Sequence, residues 1–213
     1  MYRLHCFSQS GNAFKVAFML RALGQPFETQ HVDFFKGISR DPNWRAENNE
    51  MGEAPILDDG ALRLTQSGAI LTYLANKHGQ FGGANESEQL EVLRWLLFDN
   101  HKFTSYFASY RFAKSFVPTE PDPAVMKWLL AKIEGAFQVV DLHLATREFI
   151  VGNAPTIADF SLSGYQFYPV DESGIDIAAR YPNIGAWVQR LKQVPGWISP
   201  YEAMPGEQVA PRW

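Results

Sequence analysis

The run Met51-Gly-Glu-Ala-Pro-Ile-Leu-Asp-Asp-Gly60, with Thr65-Gln66-Ser67-Gly68 just beyond it, decides how the start of this chain is read. Ala54-Pro55 stands between a turn and an apolar strand start. An X–Pro bond can take the cis form there and leave the main chain of Ala54 unpaired. Asp58-Asp59-Gly60 is a tight-turn signal joining two short strands, Pro55 to Leu57 and Leu62 to Leu64. Gln66 and Ser67 then open an apolar-periodic helix carrying Ala69, Ile70, Tyr73 and Leu74, which Gly79 closes at His78. The free N–H groups at the start of that helix attract a carboxylate. One element offers a main-chain edge to a peptide and the other a pocket for an anion. Together they point to a small acidic peptide as ligand.

Working outward, Tyr2 to Phe7 reads as a strand and runs into the polar turn Ser8-Gln-Ser-Gly-Asn12. Lys15 to Leu23 places Val16, Met19, Leu20 and Leu23 at helical spacing, with Gly24 as its C-terminal cap, and Phe27 to Asp33 reads as a second strand. The order is βαβ, then ββα. Gln80 to Asn85 is a Gly-containing linker, after which strand signals stop. Long helices are expected over Glu86 to Phe116 and Ala124 to Arg147, separated by the Pro118 to Pro123 cluster. Shorter ones follow at Thr156 to Phe167 and Ile184 to Val194, and the chain reads as irregular after Pro200. The expected organisation is an α/β domain over 1–79 and an all-helical domain over 86–204.

Composition sets bounds. The net charge is −4 and no basic stripe is present, which argues against nucleic acid as a partner. No apolar run approaches the roughly 18–20 residues needed to span a bilayer, and the start lacks the long apolar region of a signal peptide. Cys6 is the single cysteine, so no internal disulfide can form, which is compatible with a cytoplasmic location. No His/Cys cluster stands at ligand spacing, so no metal is expected.

With Ala54-Pro55, Gln66-Ser67 and the later run Asn153-Ala-Pro-Thr-Ile-Ala-Asp159 all in this order, the chain resembles the cytosolic glutathione transferases of bacterial type over nearly its whole length. The resemblance implies a thioredoxin-like βαβαββα-type first domain, a helical second domain and a homodimer. It also implies glutathione as co-substrate with no other cofactor, its thiolate being activated to attack a hydrophobic electrophile. Two alternatives stand beside this: glutathione-dependent reduction of disulfides or peroxides, and a non-catalytic binding scaffold. The family places its thiol-activating group in the turn after the first strand. Ser10 is the first choice, Asn12 the second, and Ser8 a competitor. A hydroxyl or amide donating to the sulfur stabilises the thiolate, and lowering a free thiol's pKa of about 8.5 by about two units is worth roughly 2.7 kcal/mol. Polar residues also suit a helix start for capping alone.

The resemblance further implies that Gln66 and Ser67 bind the γ-glutamyl carboxylate. Ala54, next to Pro55, would pair its main chain with the cysteinyl backbone, in the manner of an added strand. Lys36 is a candidate for the glycine carboxylate, or else a solvated loop lysine. On the first long helix, Asp99 would meet the γ-glutamyl ammonium with His101 and Lys102 nearby. Phe103, Tyr106 and Tyr110 are the expected wall of the electrophile pocket, although such stripes usually belong to a core. Cys6, inside a strand, reads as a small buried hydrophobe. Thr156 and Asp159 have capping-box spacing and are assigned to folding.

Overall fold

The computed structural model describes residues 1–213, which divide into two compact units. One is Met1–Gln80 together with Val194–Gln208, and the other is Phe81–Gln193 together with Val209–Trp213. The expected second domain ended at 204, but by its contacts the stretch from 194 belongs to the first unit. That stretch is also not wholly irregular, for it contains the short helix α10 (Pro200–Ala203).

In the first unit β1 (Tyr2–Cys6), β2 (Phe27–His31), β3 (Ile56–Asp59) and β4 (Leu62–Thr65) form one sheet in the order β2-β1-β3-β4. β1 and β2 are parallel, while β3 is antiparallel to both β1 and β4. This is the mixed sheet expected of a thioredoxin-like domain, with α1 (Gly11–Ala22) and α3 (Ser67–His78) packed on it. Leu4, Cys6, Ile56 and Leu57 from the sheet meet Val16, Phe18, Leu20, Ile70, Leu71 and Leu74 from the helices in a dry core. α1 starts four residues before the sequence suggests, because Ser10 caps it: its Oγ accepts the Ala13 N–H at 3.1 Å. Between β2 and β3 lie two single 3₁₀ turns and α2 (Pro42–Glu47), which the sequence reading leaves unassigned.

The second unit is all-helical. α4 (Glu86–Phe98) and α5 (Thr104–Ser115) are joined by a π-helical turn over Asp99–Phe103, so the expected single helix carries a wide turn within it. α6 (Pro123–Leu144), α7 (Ile157–Ser163), α8 (Ile177–Arg180) and α9 (Pro182–Leu191) complete it. Phe103 stacks on Phe137 with ring centroids 4.4 Å apart, at the centre of a core that includes Phe107, Ile133, Val140, Phe160 and Trp187. The expected capping box is present at the start of α7, and its Asp159 does more than cap. Fully buried, it accepts from the N–H groups of Ile150 (2.9 Å) and Thr156 (2.8 Å) and from Trp187 Nε1 (2.8 Å). No helix is long and apolar enough to cross a membrane.

Candidate glutathione site

Strand register gathers four segments at one end of the sheet. His5 pairs with Ile56, so the chain leaving β1 passes beside the chain entering β3. Ile56 pairs with Thr65, which puts Gln66 next to the same entry. Cys6 pairs in parallel with His31, so the residues after β2 leave at that end too. The turn Ser8–Asn12, the loop Asp33–Lys36, Ala54-Pro55 and Gln66-Ser67 therefore share one edge. Phe7 stacks on Phe34 at 4.7 Å between centroids, which ties the first two together.

Within the turn, Ser10 is 5% exposed. Its oxygen accepts from Ala13, so the hydroxyl proton is the part left to donate outward. Asn12, half-buried, has a buried Oδ1 with no hydrogen-bond partner. The twelve-residue helix that begins here adds the partial positive charge of its N-terminus, which favours a thiolate. Cys6 lies behind the turn, buried and free, and burial pushes its thiol up to about 12, so it is no nucleophile near neutral pH.

The Ala54-Pro55 bond is cis. The β3 ladder begins at Ile56, and the N–H and C=O of Ala54 enter no main-chain hydrogen bond, so they form an open edge. Gln66 precedes α3 with φ at 67°, a left-handed conformation uncommon for a residue with a side chain. It makes no capping bond with that side chain. Its Nε2 donates instead to Glu53 at 2.6 Å, a partner the sequence reading does not foresee. Ser67 occupies the first turn of α3, nearly buried, where the helix N–H groups are unpaired. Lys36 is highly exposed and pairs on the surface with Asp33 at 3.2 Å.

Two expectations for the second unit are corrected. Asp99 is fully buried, and its oxygens accept from Thr104 Oγ1 (2.5 Å) and Ser161 Oγ (2.6 Å). It serves the core and cannot meet a ligand's ammonium from that position, whereas His101 and Lys102 on the same turn are exposed. Phe103 is likewise core rather than pocket wall. Tyr106 packs edge-on against Trp128, and Tyr110 is half-buried, with burial raising its phenol pKa. A cavity of about 130 Å³ within this unit is lined instead by Phe107, Arg111, Tyr165, Gln166 and Tyr168, among others. Gln166 Oε1 is buried there without a partner. Arg111 donates from Nε to Glu172 at 2.7 Å, and both charges are buried.

A four-stranded mixed sheet with an open cis-proline edge, followed by a helical unit, defines the class of thioredoxin-like proteins with an all-helical second domain. Residues 2–76 match the glutathione S-transferase N-terminal domain and residues 101–195 the corresponding C-terminal domain. A possible glutathione S-transferase from Rhodopseudomonas palustris superposes with a TM-score of 0.86 at 30% identity, covering 100% of this chain and 93% of that one. Ure2p in complex with glutathione gives 0.82 at 25% identity, over 95% and 97% of the two chains. Glutathione S-transferase 3 from Zea mays is 27% identical over 95% of this chain and 94% of its own length. The chain belongs to the glutathione S-transferase family.

Proposed function

We propose that the protein is a glutathione transferase which holds the tripeptide along its first unit and activates the thiol through Ser10. Ala54 pairs with the cysteinyl main chain, Ser67 and the start of α3 take the γ-glutamyl carboxylate, and Lys36 is the cation on that edge for the glycine carboxylate. Gln66 is held by Glu53 and orients the approach to Ser67. The observation that carries the reading is the Ser10 hydroxyl: buried at the start of α1, it accepts from Ala13 and keeps its proton for a sulfur acceptor. The protein supplies binding and pKa tuning, and the nucleophile is the co-substrate. The resemblance points to an aromatic, apolar acceptor, with Tyr106 and Tyr110 on α5 as its proposed contacts.

Asn12 supports a second reading. Its half-buried amide, with the oxygen unpartnered, lies two residues after Ser10 in the first turn of α1 and carries N–H donors for the same sulfur. In that case the reaction is glutathione-dependent reduction of a disulfide. Turnover of a model disulfide without turnover of an aryl halide would favour that reaction, and thiolate absorbance of bound glutathione against pH decides which residue activates the thiol. Ser10→Ala should raise the thiol midpoint by about two units and lower kcat/KM near pH 6.5 about a hundredfold. An unchanged midpoint in Ser10→Ala, with a rise in Asn12→Ala, transfers the role to Asn12.

A homodimer fits the apolar surface of the second unit. Leu90, Leu93 and Leu97 stand 63%, 50% and 63% exposed on one stripe of α4, and Val125, Trp128, Val139 and Leu142 are exposed on α6. Light scattering of the purified protein should give twice the chain mass, and Leu93→Glu should shift it toward the single chain.

A further inference from the structure

Residues 194–208 run along α1, meeting its last turn through Gly196 and the turn that precedes it through Gly206. At the C-terminal end Gly196 (φ +83°) accepts from Arg21 Nε at 2.8 Å, and a Cβ on it would lie 2.6 Å from Arg21 O. At the N-terminal end Gly206 (φ +121°) lies against the turn that precedes the helix. A Cβ there would come within 2.9 Å of Ser8 Oγ and 3.5 Å of Ser8 N and His31 Cε1. Either side of Gly206 the main chain accepts from the turn. The Ser8 N–H donates to Pro205 O at 2.9 Å, and Gln9 Nε2 donates to Glu207 O. Between the two glycines the segment is stiffened by the Ser199–Glu202 capping box of α10 and by the buried Met204.

The turn so held is the one that presents Ser10. Its only internal main-chain closure is the Ser10 N–H to Phe7 O bond at 3.0 Å, and Ser8 and Gln9 between those residues are fixed from outside by Pro205 and Glu207. Burial of Ser8 and Gln9 follows from that contact, since a turn at the end of a strand is otherwise solvated. Gly206 is required at the closest point because any side chain meets the Ser8 hydroxyl and because L-residues avoid its φ.

From these contacts we propose that residues 194–208 are a brace which sets the Ser10 hydroxyl against the co-substrate's sulfur, with Gly206 as a positioning residue for thiol activation. The inference rests on the glutathione reading above. It assigns the brace to the pKa of the thiol and not to tripeptide binding, because Ala54 and Ser67 lie on other segments.

The test compares Gly206→Ala and the milder Gln9→Met with the wild-type full chain, using glutathione and S-methylglutathione, which has no ionisable thiol. Both variants should raise the bound thiol midpoint, Gly206→Ala by about one unit, which is about tenfold in the thiolate equilibrium. The Kd for S-methylglutathione should stay within about twofold, since the main-chain contacts persist. A folded pair of variants with the wild-type midpoint overturns the proposal, as does a parallel loss of S-methylglutathione affinity. Amide exchange at Ser8 in the ligand-free protein reads the brace independently. If the wild type binds neither ligand, the glutathione reading falls by itself. Accelerated Ser8 exchange in Gly206→Ala would then still support the brace, and unaltered exchange would overturn it.

Discussion

The buried charges of the second unit and the sheet end of the first are held in different ways. In the second unit the buried charged groups are satisfied from within: Asp159 collects donors from Ile150, Thr156 and Trp187, Asp99 collects Thr104 and Ser161, and Arg111 is matched by Glu172, while the neutral Gln166 Oε1 and Trp95 Nε1 stay unpartnered. At the sheet end of the first unit the Ala54 main chain is outside the ladder, and Asn12 Oδ1 has no partner. A main-chain edge outside the ladder, beside a buried amide oxygen without a partner, fits a ligand that brings its own polar groups.

That contrast can be broken by experiment. Asp159→Ala should have the largest effect, about 4 kcal/mol of stability in denaturant unfolding, because it strands four buried donors, the N–H and hydroxyl of Thr156 among them. In the fraction that folds, the glutathione thiol midpoint should not move, and a shift would mean that the second unit tunes the sulfur. Arg111→Met alone should cost about 3 kcal/mol by leaving Glu172 charged and buried, while the double change Arg111→Met, Glu172→Leu should recover most of it. A double change no better than the single one would show that the pair does more than neutralise itself. The smallest effect belongs to Asp58. Its carboxyl is held below the usual range by Arg63, which donates to it at 2.6 Å, and then by His5. A depressed folded pKa adds stability that is present above the unfolded value and is lost as pH falls through the folded one. Asp58→Asn should therefore flatten the acid limb as pH falls below about 5, by no more than about 1 kcal/mol. An acid limb of unchanged slope would place the sensitivity elsewhere.

Sequence pattern carried the framework because local chemistry and the fold agree there. The Asp58-Asp59-Gly60 turn, the Ala54-Pro55 entry and the Thr156–Asp159 box each act within a few residues, so their signals are complete in the chain. Asp99 departs from its expected place for the opposite reason. The sequence places it on a helix, but the wide turn over Asp99–Phe103 rotates it inward to Ser161, sixty-two residues away. The same rotation takes Phe103 onto Phe137. Single-turn helices between Phe34 and Glu47 are too short to show a period. The contact of 205–208 with the first turn gives no periodic signal, although Pro205-Gly206 was readable as a break in the chain.

The buried Cys6 has one more consequence, an optical one. It is the protein's sole cysteine, and its thiol stays protonated until a pH of about 12. Over the neutral range the polypeptide contributes no thiolate band and offers no accessible thiol to a colorimetric reagent. Any such signal from the mixture belongs to the added tripeptide, and the unmodified protein serves as its own blank.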